Sequence, residues 1–136
     1  MSQKTAVILV NLGTPDAPSK SAVRRYLKEF LWDDRIIKRN PVWWTILNGI
    51  ILNTRPKRVA KLYESIWQDD SPIRTIGMQQ RDELQKQLKD KATVMLAMTY
   101  GQPSLRNCLD NLNLENFEKI IVLPLFPQYS ATTTAA

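Results

Sequence analysis

Three short segments gather most of the side chains that could address a ligand: NLGTP at 11–15, TYGQP at 99–103 and FPQYSATTT at 126–134. Together they offer Thr14, Thr99, Tyr100, Gln102, Gln128, Tyr129, Ser130, Thr132, Thr133 and Thr134. Hydroxyl and amide groups exchange hydrogen bonds without carrying charge, so they suit the polar rim of a bound molecule. If 130–134 opens a helix, its free backbone N–H groups would also favour an anion. The plain alternative is helix capping, which Ser and Thr supply in most proteins.

Other chemistries are closed by composition. The chain of 136 residues has no histidine and a single cysteine, Cys108. Nucleophilic catalysis through a Ser-His-Asp or Cys-His arrangement is therefore out of reach, and so is an internal disulfide. Zinc and iron sites usually draw on several His or Cys side chains. The pairs Asp33–Asp34 and Asp69–Asp70 could hold a hard cation, but adjacent acids more often cap a helix or face water, and that is the expectation here. Neither G-x-G-x-x-G nor a P-loop is present, so a nucleotide would lack its phosphate cradle. No nucleic-acid-reading motif occurs. No catalytic set and no metal site is expected within this chain.

The elements that must position the polar segments follow from pattern. TAVILVNLG (5–13), ATVMLAM (92–98) and KIIVLPLF (119–126) are short apolar runs, the first continuously apolar and rich in β-branched residues. The first suits a strand buried on both faces of a parallel sheet, and the other two are expected as its second and third strands. Ser19 can cap a helix in which Val23, Tyr26, Leu27, Phe30 and Leu31 share one face. Pro56 is expected at the first position of a helix with Val59, Leu62, Tyr63, Ile66 and Trp67 as its buried stripe. Ser71–Pro72 opens a longer helix with Ile73, Ile76, Leu84 and Leu88 inward, and Pro103 opens another carrying Cys108 as a core residue. Strands alternating with helices predict an α/β fold with a parallel sheet and right-handed crossovers. In such sheets ligands bind beyond the carboxyl ends of the strands, where all three polar segments fall.

The first two strands are some eighty residues apart. That excursion contains PVWWTILNGIIL (41–52), two tryptophans beside a block of Ile and Leu. Twelve residues are too few to span a bilayer, which needs about 20. The block is either a buried core helix or an exposed apolar lip flanked by Lys38, Arg39, Arg55 and Lys57. Charge points to the same region. Residues 19–62 hold eleven Lys and Arg against three Asp and Glu, whereas 63–136 hold seven against nine. A solvated basic face explains this, as does an anionic partner such as a carboxylate, a phosphate or a membrane surface. The N-terminal apolar run is too short for a signal peptide, so a cytoplasmic protein is the default.

At the strand ends the sequence resembles the N-terminal part of ferrochelatase, the enzyme that inserts ferrous iron into a porphyrin. The resemblance runs from about residue 5 to the last residue, through VNLGTPDAP, VRRYLKEFL, ILNTRPKRVAKLY, WQDDSPI, AMTYGQPS and LPLFPQYSATTT. The motifs are modest singly and specific in their order and spacing. The resemblance implies two Rossmann-like domains with a porphyrin cleft between them, the first being this chain and the second absent from it. It implies that 19–67 forms a helical lip. Leu27, Phe30 and Ile36 match lip positions, with Trp43, Trp44, Ile50 and Ile51 as cleft-lip or membrane-facing neighbours.

Leu12, Arg55, Tyr63, Ser71, Tyr100, Tyr129, Ser130 and Thr133 match or adjoin porphyrin-binding positions. Arg55 is the candidate partner for a propionate. Leu12 falls where members of the family place Met, Tyr or Leu; leucine cannot ligate a metal, so it would pack on the macrocycle, and by that analogy the protoporphyrin branch is favoured. The substrates implied are ferrous iron and protoporphyrin IX, with no covalently bound cofactor. The family's histidine and its partner glutamate have no counterpart in this sequence. The chain is accordingly expected to be a fragment of a haem-biosynthesis lyase, supplying one cleft wall and inactive alone, of marginal stability or oligomeric. The alternatives are a stand-alone tetrapyrrole binder and a membrane-docking α/β module.

Overall fold

A computed structural model describes residues 5–38 and 40–134, which leaves Arg39 outside the described residues. Three strands form one parallel sheet: β1 (Thr5–Thr14), β2 (Ala92–Gly101) and β3 (Lys119–Pro124). Their spatial order is β2-β1-β3, so the first strand in sequence is the central one. Val7 pairs in register with Val94 on one side and Ile121 on the other. The predicted α/β architecture, a parallel sheet flanked by helices, is what the chain adopts.

β1 is buried on both faces because two helices sandwich it. Val7 and Leu9 point with Val94, Leu96 and Met98 toward α4 (Pro72–Leu88), which contributes Met78, Leu84 and Leu88. Ile8 and Val10 point with Ala97 toward α5 (Leu105–Asn111), which contributes Leu105, Cys108 and Leu109. This alternation follows from the two-residue period of a strand. Cys108 is a half-buried packing residue, and burial pushes its thiol up from its ordinary value. α4 approaches β2 at Gly77, where an added Cβ would lie 3.0 Å from Leu96. That close approach fixes the rotation of the helix and turns Ile76 outward, 53% exposed, against the expectation that it is buried.

Between β1 and α4 lie α1 (Lys20–Leu31), α2 (Pro41–Ile46), a π-helical turn (Leu47–Ile51) and α3 (Leu52–Ile66). Ser19 caps α1 as predicted, its side chain accepting from the Ala22 N–H. Pro56 does not open a helix; it lies inside α3 and is buried. A proline there cannot donate to the carbonyl four residues back, which normally breaks the helix. Here that carbonyl, Leu52 O, accepts from the Arg24 guanidinium of α1 at 3.3 Å. The donor missing from the helix is supplied from a neighbouring one, so the helix continues.

The buried side of α3 is Leu52, Pro56 and Ala60, while Leu62 and Ile66 of the expected stripe are 62% and 54% exposed. PVWWTILNGIIL divides likewise. Leu47 and Leu52 are fully buried anchors, whereas Val42, Trp44 and Ile50 are more than half exposed. β3 is also open: Ile120 to Leu123 are each between 38% and 49% exposed, on both faces of the sheet.

Candidate functional site

The carboxyl ends of β1 and β2 are drawn unusually close together. Gly13 pairs with Tyr100 and Thr14 with Gly101. Both glycines hold positive φ, +125° and +79°, a conformation open to residues without a Cβ. Around this junction the chain assembles a network of hydroxyls. The Thr14 Oγ1 hydroxyl, fully buried, donates to Ser71 Oγ at 2.6 Å. Ser71 precedes α4 as its N-cap, but its side chain makes no capping bond because it is turned to Thr14. The Tyr26 hydroxyl donates to Gly13 O at 3.3 Å, and the Tyr100 hydroxyl donates to Asp33 Oδ2 at 2.8 Å.

Aromatic faces join the same cluster. Phe30 lies between Tyr26, stacked with ring centroids 6.3 Å apart, and Tyr100, edge-on at 5.2 Å. Tyr63 of α3 faces the Tyr26 hydroxyl and packs edge-on against Trp67. Burial first, then Tyr63 and Glu29, drives the Tyr26 phenol far above its ordinary value. Burial and the hydrogen bond to Asp33 do the same for Tyr100. Burial raises Tyr63 as well. These phenols stay protonated, so they can serve as neutral donors and not as phenolate ligands.

At Asp33 burial alone would raise the carboxyl. The Arg35 N–H at 2.8 Å, the Tyr100 hydroxyl and the Arg35 guanidinium outweigh it and hold the acid below its ordinary value. Asp33, expected from the sequence to cap a helix or face water, is thus a fixed part of the cluster. Its signal was its position at the end of α1, one turn beyond Glu29, whose carboxylate accepts from the Gly101 N–H at 3.2 Å.

The structure therefore brings Phe30, Tyr63, Ser71 and Tyr100 together. Ser71 and Tyr100 are 2% and 4% exposed, so they form the floor of the cluster, while Leu12 and Tyr63 are half-buried at its margin. Arg55 is exposed on α3. Ser130 and Thr132 hydrogen-bond one another at 3.0 Å within a turn over 131–134, and Thr133 donates to Ser130 O. The described residues of that segment form a hydrogen-bonded turn, and Tyr129 beside it is 77% exposed. Leu27, Ile36 and Ile51 are half-buried in the helical excursion. Trp43 donates its indole N–H to Leu31 O at 3.3 Å, and with Trp32, Trp44 and Pro41 it lines an apolar cavity of about 330 Å³.

A cavity of about 210 Å³ opens at the strand ends, lined by Thr14, Tyr26, Glu29 and Gly101 among others. That is smaller than the ~300–1,000 Å³ of a typical small-molecule pocket, so this surface can form one side of a larger site. A bigger cavity of about 440 Å³ lies at the opposite, amino ends of the strands beside Thr5 and Ala92, away from the polar network. Among the described residues no group of three or more His, Cys, Asp or Glu is placed to hold a metal ion, and no helix is long and apolar enough to cross a membrane.

Comparison with known proteins gives this geometry a family. The family model for ferrochelatase matches residues 4–136. A ferrochelatase of Serratia proteamaculans is 51% identical over 136 residues, covering 98% of this chain and 42% of that protein. A ferrochelatase of Thioalkalivibrio sulfidiphilus is 51% identical over 133 residues, 93% of this chain and 36% of its own length. One of Escherichia coli O139:H28 is 48% identical over 135 residues, 98% and 42%. The chain spans about two fifths of the length of the curated relatives it matches. With the whole of its strand-end network inside the matched region, the chain belongs to the ferrochelatase family.

Proposed function

We propose that this chain supplies one wall of a porphyrin cleft in an enzyme that inserts ferrous iron into protoporphyrin IX, the reaction that yields haem. The observation that carries the reading is the gathering of Phe30, Tyr63, Ser71 and Tyr100 at the carboxyl edge of the sheet, within a family match that spans nearly the whole chain. A porphyrin is broad, flat and apolar, with two propionates at one edge. Apolar and aromatic walls with a few placed donors suit it. Leu12 would pack on the ring, the exposed Arg55 would pair a propionate, and Tyr129, Ser130 and Thr133 would contribute further polar contacts.

In this reading the cleft bends the macrocycle from planarity so that pyrrole nitrogen lone pairs face the incoming metal. That distortion is offset by binding energy elsewhere on the ring. The buried hydroxyl network gives such strain a stiff support. Proton removal from the pyrroles needs a base near neutrality, and these 136 residues contain no histidine. The base is therefore assigned to a further part of the molecule, and the apolar faces of β3 support a partner segment packing there.

Replacing the matched segment of the Serratia relative with residues 1–136 should give a chimera that converts protoporphyrin to haem, followed by porphyrin fluorescence and haem absorbance. The 136-residue chain alone should show no turnover. Turnover by the chain alone, or a folded chimera that binds no porphyrin, would refute the reading.

A second reading concerns the exposed face of 42–50 and sits within the first. Val42, Trp44 and Ile50 are 67%, 53% and 60% exposed beside a basic region, which suits peripheral contact with an anionic membrane. Replacing Trp44 and Ile50 together by serine should reduce co-sedimentation with anionic vesicles by about tenfold, a loss of roughly 1.4 kcal/mol. Unchanged co-sedimentation would remove the membrane from the proposal.

A further inference from the structure

We propose that Arg74 is a positioning residue of the strand-end site, a guanidinium clamp that sets where the loops after β1 and β2 sit relative to the start of α4. Its side chain is only 14% exposed. Nη2 donates to Pro15 O at 3.2 Å, Nε donates to Gln102 O at 3.1 Å, and Nη1 is paired with the Asp70 carboxylate. All three nitrogens are thus committed to protein acceptors on three separate segments. Those segments end in the residues of the hydroxyl network: Thr14 precedes Pro15, Tyr100 and Gly101 precede Gln102, and Ser71 follows Asp70.

The geometry calls for arginine. A planar fork presents donors in fixed, diverging directions, whereas a lysine ammonium is one point charge on a flexible stem. Asp70 neutralises the guanidinium and each of its three nitrogens already donates to a protein acceptor, which sets it to hold the loops and not a ligand carboxylate. That separates it from Arg55, which is exposed. Clamping acts through Thr14–Ser71 and Tyr100. A shift of either loop would move the floor on which a ligand rests, without removing any group that touches it.

The consequence for ligand binding rests on the porphyrin-wall reading; the clamp itself does not. The test compares the 136-residue chain with Arg74→Lys and Arg74→Met, and with Arg106→Lys as an exposed control on α5. Protoporphyrin IX is titrated by fluorescence, and amide hydrogen exchange is followed at Asp16, Ala17, Gln102 and Ser104. Arg74→Lys should weaken porphyrin binding about tenfold or more while keeping the charge. The amides of both loops should exchange faster together, with β1 residues 6–10 unchanged. Arg106→Lys should alter neither readout. Wild-type affinity in Arg74→Lys, or faster exchange in one loop alone, overturns the clamp. If the unaltered chain binds no porphyrin, the wall reading fails for this chain, and exchange alone decides: joint opening of the two loops supports the clamp, and wild-type exchange overturns it. Should Arg74→Met not fold, Arg74→Lys carries the comparison.

Discussion

Gly13→Ala is expected to destabilise the chain by about 4 kcal/mol or more, in the range reserved for disrupted backbone or core. Two separate costs add. A φ of +125° is a conformation that residues with a Cβ rarely adopt, and holding a non-glycine there costs about 1–3 kcal/mol. The new Cβ would also stand 1.8 Å from Tyr100 O and 2.8 Å from Tyr100 C. Those are backbone atoms of a paired strand and cannot rotate aside. Relief requires β1 and β2 to part at the point where Gly13 and Tyr100 are in register. The neighbouring Thr14–Ser71 and Tyr26–Gly13 hydrogen bonds would be strained with them. Gly49→Ala is the control, because nothing lies within 4 Å of its would-be Cβ; alanine there should be neutral or stabilising by up to about 1 kcal/mol. Thermal unfolding followed by circular dichroism separates the two. A Gly13→Ala melting point within a few degrees of the parent would show that the strand ends are not as tightly apposed as described.

Ser71→Ala should cost about 2 kcal/mol, because it leaves the Thr14 hydroxyl, which has no exposure to water, without an acceptor. Thr14→Val should cost a similar amount, by leaving the buried Ser71 oxygen without its donor. The pair of changes together should cost much less than their sum. When both partners of a buried hydrogen bond become apolar groups of similar shape, no orphan remains. The coupling, read from chemical denaturation of the four variants, is the test. Strict additivity would mean that the two hydroxyls do not act on one another, and the floor of the site would need another support.

Both results bear on what the sequence disclosed. β1 was legible because an unbroken β-branched run with no polar side fits a strand covered on both faces. The start of α4 was legible because Ser-Pro fits an N-cap and first turn. The polar segments were placed at the strand ends by the same logic, and Tyr63, Ser71 and Tyr100 do converge there. What escaped was carried by partners remote in sequence. Pro56 looked like a helix start because local rules count the lost N–H; the donor that compensates, on Arg24, lies 28 residues from the Leu52 carbonyl it serves. Arg74 looked like an ordinary helix residue because two of its acceptors are 59 and 28 residues distant. Only its i,i+4 relation to Asp70 was visible. Ile76, Leu62 and Ile66 were placed inward because periodicity finds a stripe but not its rotation, which the Gly77 contact with Leu96 settles for α4.

The central place of β1 has a consequence for how the chain is made. Thr5 pairs with Ala92 and with Lys119, so β1 has no neighbour in this sheet until 87 further residues exist. At about 5–20 residues per second, translation leaves it waiting roughly 4 to 17 s. During that interval TAVILVNLG is an unpaired apolar segment, while the helices of 20–66 can form from contacts close in sequence. Assembly then requires closing a long loop before any strand pairing is rewarded, which slows folding. The waiting strand is thereby open to mispairing until β2 has been made. The burden falls on the same residues that later become the most deeply buried part of the protein.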